Sequence, residues 1–317
     1  MNNNLRFAGV PLLLSIMLAG CGGGGGGGAA AVPVTGASSG FTSWGAVAAN
    51  TSVTVQGSSQ QASYTWNSGT NQITSLTGAS NFAPTATAIA TFNASNLLSA
   101  LTFTSAGGTS FSLSAANGDT FGVLIANSAV GAAVSKDGAT YALFANPSSF
   151  GWSYQTFGTW ATGAGTGSGT VGSFSIGSLT PGSAIPTSGT ATYTGATGGR
   201  YVDSTAASYF TSANMTASVD FGARTVALNT TGTQVSTNLQ SFAAANSLNL
   251  SGTLSYAAGT NQFSGTVATV GGAASNAAMT GTAKGNFYGP AAQEIGGGFT
   301  VTGSGSTAYM GSFGGKK

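Results

Sequence analysis

Histidine, cysteine and charge are the three things this 317-residue sequence has little of. It contains no histidine and one cysteine, and only 4% of its residues are charged, against about a quarter in ordinary proteins. Without histidine, a His-ligated metal or haem site and a Ser-His-Asp triad are excluded. The seven Lys and Arg residues are too few and too scattered for the basic surface that nucleic-acid binding requires. A single cysteine excludes a disulfide within the chain.

The acidic residues are equally sparse, and their spacing argues against an enzyme. Glycosidase-type chemistry, for example, needs two carboxylates held a few ångströms apart. The five acids are spread over the chain, with no pair that stands out: Asp119, Asp137, Asp203, Asp220 and Glu294. We therefore predict no catalytic residue, no metal and no cofactor.

The first 20 residues are typical of a secretory signal peptide. Arg6 precedes an apolar run at 10–18, which is too short to span a bilayer. The run ends in Leu18-Ala19-Gly20-Cys21, which resembles the lipobox of bacterial lipoproteins. That resemblance implies acylation of Cys21, and the Gly that follows it implies sorting to the outer membrane. A buried structural cysteine is the alternative, which the position after an apolar run argues against.

Residues 21–40 are predicted to form a lipidated, glycine-rich tether. Residues 22–28 are all glycine, and such a run has a flexible reach of about 15–20 Å. A phosphate-binding loop is excluded here because no strand precedes the glycines and no Lys-Ser/Thr pair follows them.

Residues 41–184 are predicted to form a β-rich domain. Segments 52–56, 63–66 and 110–114 alternate with period two, as half-buried strands do. Residues 93–101 are the best candidate for a short helix.

Residues 185–317 predict an antiparallel barrel. Alternating runs separated by Gly- or Asn-containing turns give eight strands, a number whose interior side chains can fill. The predicted strands are 188–195, 213–220, 224–231, 247–256, 262–270, 278–288, 294–302 and 308–313. The fold class is therefore all-β, an N-terminal handle followed by an eight-stranded up-and-down barrel.

Four motifs in this barrel resemble the transferrin-binding-protein-B-like surface lipoproteins, a group that includes factor-H-binding protein and several haem or haemoglobin receptors. They are PTSGTATYTG at 186–195, SVDF at 218–221, GNFYGPAAQEIGG at 285–297 and GSFG at 311–314. The resemblance implies a β-rich handle before the barrel and a lipid-anchored N-terminus. Large members carry two handle–barrel lobes, and this chain has room for one. We carry over no transferrin contact from the family.

The motif residues are interpreted as structural. Gly289 and Pro290 should end a strand, and Phe287 and Phe299 should face the barrel interior. The glycines at 296–298 should let a strand or ring approach closely. Glu294 should accept hydrogen bonds from Lys284, Arg200, Arg224 or turn amides. The full set is Asp220, Phe221, Phe287, Tyr288, Gly289, Pro290, Glu294, Gly296, Gly297, Phe299 and Phe313.

One poorly periodic stretch, 198–211, is the candidate ligand-binding segment. It concentrates Arg200, Tyr201, Tyr209 and Phe210, residue types favoured at binding hot spots. The alternative is a loop folded over the barrel mouth with its aromatic rings buried.

Together these features predict a non-enzymatic lipoprotein of the outer membrane that faces the cell exterior. Its expected partners are the membrane, through the anchor, a surface-translocating outer-membrane protein, and a host or environmental protein or small ligand, with iron, haem or solute acquisition as the role. The alternative is an adhesive coat lipoprotein without a dedicated ligand, since Ser, Thr and Asn suit weak multivalent contacts.

Overall fold

The computed structural model describes residues 42–70, 72–123, 129–271 and 278–317. The predicted signal peptide at 1–20, the tether at 21–40 and Cys21 lie outside these residues. The described chain forms two antiparallel sheets, one from each half. The all-β prediction is therefore confirmed.

The first sheet, which we call the handle, has ten strands. Its spatial order is β5-β4-β3-β1-β10-β9-β8-β7-β6, with β2 paired to β1, so the sheet curls without closing between β5 and β6. The strands are β1 Ser52–Asn67, β2 Gln72–Thr77, β3 Ala83–Phe92, β4 Leu98–Thr104, β5 Ser110–Ser114, β6 Thr120–Val123, β7 Val130–Val134, β8 Tyr141–Ala145, β9 Gln155–Thr162 and β10 Ser168–Gly177. One short helix, α1 Pro147–Phe150, and two 3₁₀ turns, Trp44–Ala46 and Ala115–Asn117, accompany them.

Two local predictions in the handle need correction. Segments 52–56 and 63–66 are parts of one strand, β1, and not two strands. Residues 93–101 do not form a helix. Instead, the Asn93 side chain accepts hydrogen bonds from the backbone amides of Ser95 and Leu97, at 2.9 and 3.0 Å, which closes a turn. Asn and Asp side chains compete with helix formation in this way, and the chain then continues as β4.

The second sheet closes into a barrel of eight long strands, as predicted. Each strand pairs with its neighbours in the chain, and the last strand pairs back with the first from Thr194↔Lys316 to Val202↔Ala308. The strands are β11 Thr190–Val202, β12 Ser208–Asp220, β13 Thr225–Ser236, β15 Leu250–Ser255, β16 Gln262–Thr269, β17 Thr280–Tyr288, β18 Glu294–Thr302 and β19 Ala308–Lys316, and the two-residue strand β14 Ala243–Ala244 pairs only with β13. Two further 3₁₀ turns lie at Gly182–Ala184 and Asn246–Leu248.

Side chains fill the barrel interior. Phe287, Phe299 and Phe313 are essentially inaccessible to solvent and belong to one core cluster. The Phe287 ring lies 5.3 Å from that of Phe263 and 6.0 Å from that of Phe221, distances typical of favourable aromatic pairs. The inward orientation predicted for Phe287 and Phe299 is confirmed.

The handle packs against the outer wall of the barrel formed by β18 and β19. Because strand side chains alternate, β1 serves both bodies: Val53 and Val55 enter the handle core, whereas Gln60 and Tyr64 face the barrel. Residues of β18 and β19 are therefore buried on both faces along almost their whole length.

Within the part of the chain that the structure describes, no helix is both long enough and apolar enough to cross a membrane.

Candidate functional site

The four candidate ligand-binding residues lie on paired strands and not in a loop. β11 extends to Val202 and β12 begins at Ser208, so Arg200 pairs with Phe210 and Tyr201 pairs with Tyr209. Cross-strand partners share a face and successive residues alternate between faces. The four residues therefore form two separate pairs, and the alternative of a loop folded over the barrel mouth does not hold for these positions.

Arg200 and Phe210 lie at the seam between the barrel and the handle. The guanidinium carbon of Arg200 lies 3.3 Å from the Phe210 ring centroid, and Nη2 donates a hydrogen bond to the Tyr141 hydroxyl at 2.5 Å. Only 7% of Arg200 is exposed. The guanidinium therefore contacts the Phe210 ring and donates a hydrogen bond to the Tyr141 phenol. The cation–π contact with Phe210 is stronger where water is excluded.

Tyr201 and Tyr209 lie at the end of the barrel, beside the turn at Asp203. Their rings are stacked with centroids 6.0 Å apart, and Tyr201 meets Tyr309 edge-on at 6.2 Å. The Tyr209 hydroxyl donates to Asp203 Oδ2 at 3.3 Å. Burial, the Asp203 charge and Tyr209 raise the pKa of Tyr201, so its phenol stays protonated at neutral pH.

Asp203 organises this turn. Its Oδ1 accepts hydrogen bonds from the Thr205 amide and hydroxyl and from the Ala207 amide, at 2.7–3.0 Å. Burial acts to raise the pKa of the Asp203 carboxyl, but these bonds and the one from Tyr209 together outweigh burial and lower the pKa. The Asp203 carboxylate therefore stabilises the turn.

Glu294 joins the barrel to the handle. Its carboxylate accepts hydrogen bonds from the backbone amides of Ser153, Tyr154 and Gln155, at 2.6, 3.0 and 2.9 Å. Burial raises the pKa of Glu294 even though these amides and Lys316 favour its charged form. Of the predicted partners, the turn amides are the ones observed, here from the handle, whereas Lys284, Arg200 and Arg224 donate no hydrogen bond to Glu294 among the described residues.

The glycine-rich motif proves to be the surface on which the handle rests. A Cβ at Gly298 would overlap the Phe82 ring, and one at Gly296 would overlap the Ser175 hydroxyl. Gly297 instead leaves room for barrel residues, because a Cβ there would overlap the Phe313 ring and the backbone oxygen of Lys284. The predicted close approach at this motif is confirmed.

The remaining motif residues end strands or bridge the two bodies. β17 ends at Tyr288 and Gly289 adopts a φ of +85°, so the predicted strand end at Gly289-Pro290 is confirmed. The Tyr288 hydroxyl lies 2.8 Å from Ser175 Oγ of the handle. Asp220 closes the β12–β13 turn by accepting from the Ala223 amide at 2.9 Å.

Sequence reasoning missed the handle residues that meet this motif. Gln60 Nε2 donates to Ser173 Oγ and to the backbone oxygens of Phe299 and Gly311, at 2.9, 2.6 and 3.2 Å. Ser58 Oγ donates to Asn286 Oδ1 at 3.0 Å. The signal available in the sequence was a run of polar residues, 58–61, within a strand that is otherwise alternating.

Sequence reasoning also missed a cavity of about 540 Å³ inside the curled handle sheet. Most of its wall is apolar, and the inward-facing small residues Ala88, Ala90 and Ala132 help to leave it open. If it were dry and closed, a cavity of this size would cost about 13 kcal/mol, as much as the whole stability of an ordinary domain. The cavity instead opens to solvent beside Leu97 and Val123, which line it and remain 63% and 49% exposed.

A second cavity, of about 110 Å³, lies at the seam beside Phe210. It is lined by Leu143 and Phe157 of the handle, by Phe210 of the barrel, and by Leu239 and Phe242. Within the described residues, no three His, Cys, Asp or Glu side chains come together as a metal site.

A curled β handle that rests on the wall of a closed eight-stranded barrel defines a two-body β lobe. Residues 185–317 match the family described as the C-lobe and N-lobe beta barrels of Tf-binding protein B. The barrel is therefore similar to this family over 185–317, and the resemblance predicted from its motifs is confirmed.

Three solved structures have a similar architecture. A mutant of Transferrin Binding Protein B from Haemophilus parasuis Hp5 is 13% identical, with 84% of this chain and 76% of that chain covered and a TM-score of 0.46. The isotype 1 protein from serogroup B Neisseria meningitidis is 16% identical, with 74% and 52% covered and a TM-score of 0.44. A structure described as a surface lipoprotein is 11% identical, with 82% and 98% covered and a TM-score of 0.41.

This chain therefore spans about half the length of the Neisseria protein. None of the curated proteins matches it. The likenesses concern architecture and assign no ligand.

Proposed function

We propose that this protein is a non-enzymatic lipoprotein of the outer membrane that faces the cell exterior and binds a host or environmental protein or a small ligand. The observation that carries the proposal is the combination of a Tf-binding protein B barrel at 185–317 with a lipobox that ends at Cys21. Two solved proteins of similar architecture are described as transferrin-binding, which supports a protein partner and a role in iron, haem or solute acquisition.

The geometry of Glu294 supports a structural role for this carboxylate over a catalytic one. A catalytic carboxylate needs a free oxygen near the reacting atom. Both oxygens of Glu294 accept backbone amides of the handle instead, so this side chain holds the lobe together.

The anchoring part of the proposal is tested by metabolic labelling with palmitate. The wild-type chain should incorporate the label, and the Cys21→Ala chain should not. Protease added to intact cells should digest the wild-type protein, and protection would count against exposure on the cell surface. Unchanged labelling of Cys21→Ala would overturn acylation at this position.

The second candidate is an adhesive coat lipoprotein without a dedicated ligand. Only 4% of the residues are charged, and the exposed faces of the strands carry hydrogen-bonded hydroxyl pairs such as Thr102 with Ser112, at 2.9 Å. Pull-down from host serum and from iron-limited growth medium separates the two candidates. One stoichiometric partner supports the binding protein, and several weak partners support the coat.

A further inference from the structure

We propose that the handle cavity is a binding site for one aliphatic acyl chain. The inference deepens the proposed ligand-binding role by naming a class of ligand and a site. It does not depend on anchoring at the cell surface, and it is tested below on protein that carries no anchor.

The size of the cavity and the chemistry of its wall suit a small apolar ligand. A volume of about 540 Å³ falls within the range of small-molecule sites, roughly 300–1,000 Å³. The wall is built mostly from the inward faces of the handle strands, and none of its described residues carries a charged side chain. Representative residues of the wall are Val55, Ala88, Leu101, Phe121, Phe174 and Ile176.

Three polar side chains of the wall already have hydrogen-bond partners within the protein. Thr156 Oγ1 donates to the Ala145 oxygen at 2.6 Å, and Trp44 Nε1 donates to the Gln155 oxygen at 3.1 Å. Asn146 Oδ1 accepts from the Ser148 amide at 3.2 Å. An ordered water needs two to four polar partners, and these three groups offer it few. A saturated hydrocarbon chain needs no hydrogen-bond partner along its length.

The mouth of the cavity is lined by exposed apolar residues. Leu97 and Val123 are two of the four large apolar residues that are exposed in the described chain, and both line this cavity. An apolar rim on an apolar cavity suits a ligand that enters by its hydrocarbon end and leaves its polar end in water.

Two sources could supply such a chain. One is a free fatty acid or lipid from the surroundings. The other is the acyl group predicted on Cys21, since only 22 residues separate Cys21 from Trp44 in the cavity wall. A segment of that length with the properties of the predicted glycine-rich tether would reach roughly 25 Å. Both sources present the same chemistry to the cavity.

The test is calorimetric titration of full-length Cys21→Ala protein with octanoate, decanoate and dodecanoate. We expect one bound molecule per chain and an affinity that rises about fourfold with each added methylene. Binding that is absent, or that does not depend on chain length, would overturn the proposal.

Two variants on one strand provide the matched comparison. Ala90 faces the cavity and Ile89 faces solvent. Ala90→Phe should fill the cavity and weaken dodecanoate binding at least about tenfold, because the ring displaces several methylenes. Ile89→Phe should leave binding unchanged, and equal binding by both variants would show adsorption to the surface and overturn the proposal.

A third variant tests the same site in case Ala90→Phe does not fold. Leu97→Asp changes an exposed rim residue, so the thermal midpoint should stay at the wild-type value while binding weakens. If Leu97→Asp and Ala90→Phe both bind like wild type, the site is elsewhere. Titration of acylated wild-type protein then separates the sources: uptake of dodecanoate supports an external lipid, and its loss relative to Cys21→Ala supports occupation by the anchor.

Discussion

The side-chain amide of Gln60 donates a hydrogen bond to the backbone oxygen of Phe299 at 2.6 Å and a second one to that of Gly311 at 3.2 Å. Phe299 and Gly311 are cross-strand partners in the barrel wall. One handle side chain thus reaches across the seam to two neighbouring barrel strands. Its Oε1 accepts in turn from Thr300 Oγ1 at 2.9 Å, so Gln60 uses both ends of its amide.

Gln60→Leu should lower the free energy of unfolding by about 1–3 kcal/mol, because buried oxygens lose their donor. Urea unfolding followed by circular dichroism measures the change. Gln262→Leu is the matched control, since Gln262 is exposed on β16, and it should change stability by less than about 0.5 kcal/mol. Equal effects at the two positions would mean that Gln60 does not hold the seam.

Gly298→Ala should destabilise the protein by about 1–3 kcal/mol through overpacking. The new methyl group would overlap the Phe82 ring on the handle. Gly45→Ala is the control, because a Cβ at Gly45 meets nothing within 4 Å. A Gly298→Ala protein as stable as wild type would show that the handle does not rest tightly on this motif.

The pH dependence of stability should carry a contribution from Glu294. Burial raises its pKa in the folded state above the ordinary value of 4.5, so between these two values the folded protein binds more protons than the unfolded chain. The contribution of Glu294 to stability is therefore fully present below pH 4.5 and is lost as the pH rises through the folded-state pKa.

Glu294→Gln removes this titration. The stability of the variant should not decline across that pH window, whereas that of the wild type should, as measured by thermal unfolding at a series of pH values. At neutral pH the variant should also be less stable by about 1–3 kcal/mol, because the amide NH₂ faces a backbone donor. Parallel pH profiles for the two proteins would contradict the assignment.

Arg200 and Tyr141 should be energetically coupled across the seam. A double-mutant cycle with Arg200→Met and Tyr141→Phe, measured by urea unfolding, should give a coupling energy of about 0.5–3 kcal/mol. The same cycle with Arg200→Met and Tyr209→Phe is the control and should give almost none, because Tyr209 lies on the other strand face. Additive effects of Arg200→Met and Tyr141→Phe would show that their hydrogen bond contributes nothing.

The sequence alone was enough to predict the barrel. Period-two alternation and turn residues are local signals for the strands and their hairpins. Closure is the pairing of β11 with β19, and it was predicted from the number of strands and from the family resemblance. Phe287 and Phe299 were assigned to the interior by the same alternation. The family motif at 285–297 was recognisable because its Gly, Pro and aromatic residues occur at fixed spacings.

The tertiary structure alone decided what the polar residues do. Gln60 and Phe299 lie 239 positions apart, and Glu294 lies about 140 positions from the amides that it accepts, so no local pattern could pair them. The split of Arg200 and Phe210 from Tyr201 and Tyr209 likewise depends on how far β11 and β12 extend. The handle cavity exists because small inward-facing residues meet across a sheet that curls without collapsing. Its volume depends on the distance between strands that are far apart in the sequence, so no single strand predicts it.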